Sequence, residues 1–120
     1  MQIGIPRETR DGETRVAATP ETVKKYVASG HAVVVEHGAG QAAHYPDSAY
    51  EAAGARLAEA AQALGAELVL KVRAPDAGEL AHMRSGTVLA GMLDPFDADQ
   101  LQRLAAAGLT AFALEAAPRI

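Results

Sequence analysis

A short sequence unit recurs along the 120 residues of this chain and restricts the folds that it can adopt. An amphipathic, alanine-rich segment ends at a glycine and is followed by a short apolar run. Helices are predicted over 20–29, 47–53, 59–64, 97–107 and near 78–83, and strands over 2–5, 32–35, 56–58, 67–72, 87–91 and 109–114. Apolar runs such as 32–35 are typical of strands buried on both faces. The repetition predicts an α/β fold with an open, mostly parallel sheet and helices on both faces, in the three-layer flavodoxin-like or Rossmann-like manner.

Composition limits what such a domain can do. The apolar fraction is 49%, but only 4% of the residues are aromatic, so the core must consist of Ala, Val, Leu and Ile. The net charge of -4 argues against nucleic-acid binding. The absence of cysteine excludes disulfides and thiolate zinc sites and fits a cytoplasmic location. Because no apolar run approaches 18 residues, we predict no membrane span in this segment, and we expect one domain over 1–120.

Two cations stand where a sheet of this kind binds ligands. Residues 7–15 carry six charges and are predicted to form an exposed loop, with Arg15 at its end. Arg15 is either a surface charge or a clamp for a carboxylate. Lys71 lies inside an apolar strand close to Pro75. It either faces a cleft at the strand's carboxyl end or pairs with an acid, and the sequence leaves both alternatives open.

Other motifs favour ordinary structural roles. The stretch GAGQAA at 38–43 imitates the dinucleotide-binding pattern G-x-G-x-x-A, but Pro46 interrupts the helix that the pattern requires. A glycine-rich turn is therefore the favoured interpretation. Asp94 precedes a proline and is predicted to form a turn, with a site role as the less favoured alternative. The histidines show no metal-ligand spacing and are predicted to be surface or turn residues: His31, His37, His44 and His82.

Residues 4–23, with the sequence GIPRETRDGETRVAATPETV, and the closing Gly30 resemble the N-terminal signature shared by alanine dehydrogenases and nicotinamide nucleotide transhydrogenases. The one departure is Gly12, where the pattern usually has asparagine. The stretches EHGAG at 36–40 and LKVRAP at 70–75 extend the similarity over essentially the whole chain. The resemblance supports the α/β fold class and implies a nicotinamide-nucleotide enzyme.

Within that family the chain is more similar to transhydrogenase alpha subunits. Asp94 stands where alanine dehydrogenases carry a catalytic histidine, and PRI at 118–120 matches a transhydrogenase loop that contacts NAD(H). The resemblance therefore implies that Arg119 and Ile120 bind NAD, with no catalytic residue and no metal in this segment. Arg15 and Lys71 match the positions that hold pyruvate in alanine dehydrogenases, but their role here stays open.

The resemblance implies hydride transfer between NAD(H) and NADP(H), coupled to proton translocation. The implied partners are the rest of the alpha subunit, a membrane-embedded beta subunit that spans the bilayer, and a second copy in a homodimer. NADP would bind to another domain or subunit, and the location would be cytoplasmic and peripheral to the inner membrane. We expect the chain to stop before the NAD-binding Rossmann domain, so that the isolated 120 residues are inactive. The alternatives are an alanine dehydrogenase-like oxidoreductase and a non-catalytic α/β binding or assembly module.

Overall fold

A computed structural model describes residues 1–93 and 97–114 of the chain. The strands in this part are β1 Gln2–Ile5, β2 Ala32–Glu36, β3 Arg56–Ala58, β4 Leu68–Arg73, β5 Val88–Met92 and β6 Thr110–Ala113. The helices are α1 Pro20–Ala28, α2 Asp47–Ala52, α3 Ala60–Leu64, α4 Ala77–Leu80 and α5 Ala98–Ala106. Each predicted strand and helix is present, and the bounds differ by a few residues at most.

The six strands form one sheet in the order β3-β2-β1-β4-β5-β6, and every pair of neighbours is parallel. This is the order of dinucleotide-binding Rossmann folds and differs from the flavodoxin order. The direction in which successive strands are added reverses between β1 and β4. The carboxyl ends of these two strands therefore border the crevice where open α/β sheets bind ligands.

Helices cover both faces of the sheet, as predicted. On one face, Ile3 and Ile5 of β1 pack in the same cluster as Val23 of α1 and Tyr50 of α2. The other face carries α3, α4 and α5, whose apolar side chains pack over β4 and β5 in a second cluster that includes Leu64, Val69, Leu80, Leu89 and Leu104. The three-layer arrangement follows from this division.

Gly4 explains why a glycine stands in the middle of β1. A Cβ atom at this position would overlap the backbone carbonyl oxygen of Ala63 in α3. Because real side chains cannot approach a backbone oxygen so closely, α3 can rest on β1 only where the strand has no side chain. The glycine of the GIP stretch therefore serves close packing of a helix on a strand.

The glycine-rich stretch after β2 forms a turn, as the sequence favours. Gly38 has a φ of +77°, and residues 41–43 form a single 3-10 turn before α2 begins at Asp47. The Oδ1 atom of Asp47 accepts the N–H of Gly38 at 2.9 Å. A Cβ atom on Gly40 would lie 2.6 Å from the ring of Tyr50. The two glycines thus allow the turn and its packing on Tyr50.

The prediction that residues 7–15 form an exposed loop is wrong for two of its acids. Glu8 is only 8% exposed, and the side chain of Glu13 is only 4% exposed. Both carboxylates point inward because they accept hydrogen bonds from residues of β4. These residues are far from the loop in the sequence, so the polarity of the loop could not indicate that the two acids are buried.

No helix in the described part of the chain covers one half of the sheet on the face that carries α1 and α2. Leu70, Ala90 and Phe112 occupy equivalent positions on β4, β5 and β6. Leu70 packs against the cluster under α1, whereas Phe112 is 57% exposed. Met92 and Leu114 beside this row are also exposed. Among the described residues, α4 and α5 both pack on the opposite face, so this apolar surface stays open.

Candidate functional site

The candidate site lies at the carboxyl ends of β1 and β4, where Glu8 joins the loop after β1 to the end of β4. Its Oε2 atom accepts the backbone N–H of Val72 at 3.0 Å, and its Oε1 atom accepts that of Arg73 at 3.0 Å. Pro6 follows the last residue of β1 and begins this loop. The loop after β1 is thereby fixed to the end of β4, across the point where the strand order reverses.

Lys71 lies in a buried cluster with two acids. Its Nζ atom is 2.7 Å from Oε2 of Glu79 and 3.2 Å from Oε1 of Glu8. The three side chains are 1%, 10% and 2% exposed for Lys71, Glu79 and Glu8 respectively. Of the two interpretations that the sequence left open, the geometry matches pairing with acids. We call Glu8, Lys71 and Glu79 the buried ion cluster.

Glu79 reaches Lys71 because α4 begins with a capping box. Asp76 accepts the N–H of Glu79 at 2.8 Å, and the Glu79 carboxylate accepts the N–H of Asp76 at 3.1 Å. The reciprocal bonds fix the first turn of this short helix and point one carboxylate oxygen at Lys71. The sequence D-x-x-E at 76–79 is a pattern that could have indicated this cap.

Arg15 is held at the mouth of the cleft by a fork of hydrogen bonds to Glu13. The Nε atom of Arg15 lies 2.9 Å from Oε2, and its NH2 atom lies 2.8 Å from Oε1. Arg73 also donates from Nε to Oε1 of Glu13 at 3.0 Å. The hydrogen bonds from Arg15 are the main cause that lowers the pKa of Glu13 to about 2. In return, Glu13 raises the pKa of the Arg15 guanidinium.

Two cavities meet at Arg15, whose side chain is 55% exposed. The larger has a volume of about 330 Å³ and is mainly apolar. Its lining residues include Val16, Ala17, Tyr26, Leu70, Lys71, Ala90 and Met92. The other, of about 230 Å³, lies between the loops after β1 and β2 and is lined by residues that include Arg7, Glu13, Gly38 and Gln41. The larger volume is at the lower end of the range for small-molecule sites.

Three of the predicted site residues cannot be placed relative to this cleft. Arg119, Ile120 and Asp94 lie outside the described residues. His37 is an exposed turn residue 3.6 Å from Asp47, and His44 adopts the left-handed conformation of a turn, with a φ of 69°. Within 1–93 and 97–114, no group of three or more His, Asp or Glu side chains is placed to hold a metal ion.

The comparison with known protein families decides the assignment. The family model described as "Alanine dehydrogenase/PNT, N-terminal domain" matches residues 4–120. The chain belongs to this family. This alanine dehydrogenase/PNT N-terminal domain thus has the Rossmann strand order, a fixed loop after β1 and two cations near the point where the strand order reverses.

Curated relatives include both branches of the family. The chain is 38% identical to NAD(P) transhydrogenase subunit alpha from Haemophilus influenzae, over all of this chain and 24% of that protein. It is 40% identical to NAD(P) transhydrogenase subunit alpha from Cereibacter sphaeroides, over all of this chain and 24% of that protein. It is 41% identical to alanine dehydrogenase from Bacillus subtilis, over 96% of this chain and 31% of that protein.

Solved structures from both branches of the family superimpose on this chain. The transhydrogenase from Sinorhizobium meliloti superimposes with a TM-score of 0.95 at 45% identity, over all of this chain and 36% of that one. An L-alanine dehydrogenase superimposes with a TM-score of 0.90 at 35% identity, over 94% of this chain and 32% of that one. The chain therefore spans about a quarter to a third of the length of these relatives. None of the helices in its described part has the length and apolarity to cross a membrane.

Proposed function

We propose that the chain is the N-terminal part of a proton-translocating NAD(P) transhydrogenase alpha subunit. In this proposal the whole protein transfers hydride between NAD(H) and NADP(H). The similarity to transhydrogenase alpha subunits extends over the whole chain, and the TM-score of 0.95 to a transhydrogenase exceeds the 0.90 to an alanine dehydrogenase.

The observation that carries this choice is the state of the two cations in the cleft. An enzyme that oxidises alanine must hold the carboxylate and carbonyl of an oxo acid with free positive charge. Here Lys71 is enclosed by Glu8 and Glu79, and the Arg15 fork is already bonded to Glu13. Lys71 is therefore not available to a small carboxylate in the described cleft, and Glu13 already occupies one fork of the Arg15 guanidinium.

The described residues fit part of a nicotinamide nucleotide. The apolar cavity of about 330 Å³ offers Val16, Leu70 and Met92 as surfaces for a ring, with Arg15 at its edge. The glycine-rich stretch after β2 leads into a 3-10 turn and gives no helix N-terminus for a pyrophosphate. We propose that Arg119 and Ile120 contact NAD and that a dinucleotide-binding domain follows this one in the intact subunit.

The hydride step needs no acid or base from this domain. The two nicotinamide rings exchange hydride directly, so the protein contributes position and orientation. The buried ion cluster would serve this role by fixing the loop after β1 against β4. NADP would bind to another domain or subunit.

The partners in this proposal are the rest of the alpha subunit, a membrane-embedded beta subunit and a second alpha copy. The location is cytoplasmic and peripheral to the inner membrane. The names of the relatives describe subunits of an assembly, which supports partners of this kind.

A hydride-transfer assay on the intact subunit, combined with its membrane partner, tests the proposal. We expect reduction of an NADP+ analogue by NADH and no oxidation of alanine. The variant Asp94→His is the matched probe, because a histidine there is the feature that the alanine dehydrogenase alternative needs. Robust oxidation of alanine without transhydrogenation would overturn the proposal. Absence of both activities with an intact assembly would favour the non-catalytic binding or assembly module.

Direct NADH titration tests the proposed nucleotide contact. We expect Arg119→Gln to weaken NADH binding to the intact subunit by about tenfold or more, since a hydrogen bond to a charged group typically contributes that much. The matched control is Arg103→Gln, because Arg103 is an exposed arginine on α5. Equal affinities of the two variants would remove Arg119 from the site.

A further inference from the structure

Glu13 holds Arg15 in one orientation at the mouth of the larger cavity. Its carboxylate accepts hydrogen bonds from Nε of Arg15 at 2.9 Å and from Nη2 at 2.8 Å. It also accepts the backbone N–H of Arg15 at 3.0 Å. Because the guanidinium is planar, two bonds to one of its edges fix both the position and the rotation of that plane. An arginine side chain in water would otherwise sample many rotamers.

Glu13 is itself fixed from two sides. Gly12 has a φ of +77°, and the turn that it permits is closed by a hydrogen bond from the N–H of Glu13 to the carbonyl of Arg10 at 3.0 Å. On the other side, Arg73 of β4 donates from Nε to Oε1 of Glu13 at 3.0 Å. The side chain of Glu13 is only 4% exposed, and its pKa of about 2 keeps it ionised near neutral pH. The support for Arg15 is therefore rigid and permanently charged.

The Nη1 atom of Arg15 lies on the side of the guanidinium that Glu13 does not bind. It carries two of the five N–H donors of the group, and it lies 3.8 Å from the sulfur of Met92. Arg15 and Met92 both line the larger cavity, together with apolar residues such as Val16 and Leu70. A thioether sulfur is a weak acceptor, so an oxygen atom of a ligand in that cavity can take these donors.

We propose that Glu13 is a positioning residue for the nicotinamide ring, because it holds Arg15 where Nη1 donates to the carboxamide oxygen of that ring. This inference rests on the proposed function, in which the larger cavity takes the ring. Glu13 does not touch the ligand in this role and acts through Arg15. The guanidinium is oriented before the ligand arrives, so binding does not have to order a flexible side chain.

The affinities of the intact subunit for NADH and for ADP-ribose test this role. ADP-ribose keeps the adenosine and both phosphates of NADH but has no nicotinamide ring, so it reports on the rest of the nucleotide site. We expect Glu13→Gln to weaken NADH binding about tenfold in fluorescence titration and to leave the calorimetric affinity for ADP-ribose unchanged. Glu51→Gln makes the same chemical change at an exposed position on α2 and should change neither affinity. Equal weakening of both ligands would show a merely structural role and would overturn the proposal, as would an unchanged affinity for NADH.

A double-mutant cycle shows whether Glu13 acts through Arg15. Arg15→Gln should weaken NADH binding by a similar factor, and the addition of Glu13→Gln should cause no further loss. Losses that multiply would mean that Glu13 acts independently of Arg15 and would overturn the proposal. Glu13→Asp keeps the charge but withdraws the carboxylate, so it should lose part of the affinity for NADH and none for ADP-ribose. This variant carries the same test if Glu13→Gln fails to fold, and an affinity for NADH equal to that of Glu51→Gln would then overturn the proposal.

The proposed function can fail separately from this inference. An intact protein that oxidises alanine would refute the transhydrogenase assignment, and the affinities for NADH and ADP-ribose would still decide the role of Glu13. Normal transhydrogenation, with Glu13→Gln equal to its control in NADH affinity, would overturn only the role of Glu13. Absence of NADH binding by the wild-type protein would overturn both.

Discussion

Replacement of Lys71 by methionine tests whether the buried ion cluster stabilises the domain. The change keeps the length of the side chain but removes the only ammonium group within 4 Å of Glu8 and Glu79 among the described residues. Two carboxylates that are 2% and 10% exposed would then share a buried site without a cation. Breaking a buried ion pair by removing one partner typically costs about 3–5 kcal/mol of unfolding free energy.

The loss of unfolding free energy caused by Lys71→Met should fall near the lower end of that range. Glu8 keeps its hydrogen bonds from the backbone N–H groups of Val72 and Arg73. Glu79 likewise keeps the N–H of Asp76. These bonds continue to stabilise both carboxylates after the ammonium is lost. We therefore expect Lys71→Met to lower the unfolding free energy by about 3 kcal/mol at neutral pH.

Urea unfolding followed by far-ultraviolet circular dichroism measures this loss. Lys71→Met combined with Glu79→Gln should recover part of the stability, because it removes one unpaired charge. Lys24→Met is the matched control, since Lys24 is exposed on α1 and should change stability by less than about 0.5 kcal/mol. A loss for Lys71→Met as small as that of the control would refute the reasoning and support a lysine that faces ligand or solvent.

Three further predictions rest on single contacts. Tyr50→Phe should lower the unfolding free energy by about 1–3 kcal/mol in chemical denaturation, because the phenol donates to the buried carbonyl of Ala18 at 2.8 Å; an unchanged midpoint would argue against this bond. Gly4→Ala should cost about 1–3 kcal/mol or prevent folding, because the new methyl meets the carbonyl oxygen of Ala63; wild-type stability would contradict the close packing of α3 on β1. Glu13 has its pKa lowered to about 2, so its stabilising contribution is complete above its ordinary pKa of 4.5 and is lost as the pH falls from there toward 2. Stability measured across this acid range should fall less steeply in Glu13→Gln than in the wild type, and parallel curves would contradict the ion pairing.

Much of the fold could be predicted from short-range patterns. The helix from Pro20 begins as its sequence indicates: Thr19 accepts the N–H of Thr22 at 3.2 Å. Glycines such as Gly54 and Gly108 follow helix ends with φ of +100° and +77°, values that favour glycine. Caps and turns depend on residues within a few positions of one another. The order of helices and strands along the chain can therefore be predicted from local sequence.

The site was less predictable because its contacts join distant parts of the chain. Lys71 and Arg15 stand out in the sequence as candidates, but Glu8, Glu13 and Glu79 do not. Nothing near Glu8 in the sequence indicates that it accepts N–H groups 64 and 65 residues away. The proposed nucleotide contacts of Arg119 and Ile120, and the position of the domain boundary, stay predictions.

Local sequence is enough to specify the alternation of helices and strands, the α/β class and the family. These properties depend on periodicity, on helix caps and on a run of residues near the N-terminus, all of which are local. The strand order can be seen only in the folded molecule, because the flavodoxin and Rossmann orders are compatible with the same alternation of elements. That order places β1 beside β4, and this adjacency brings Glu8 to Lys71. The partners of the candidate cations are therefore a consequence of sheet topology, in which strands far apart in the chain become neighbours.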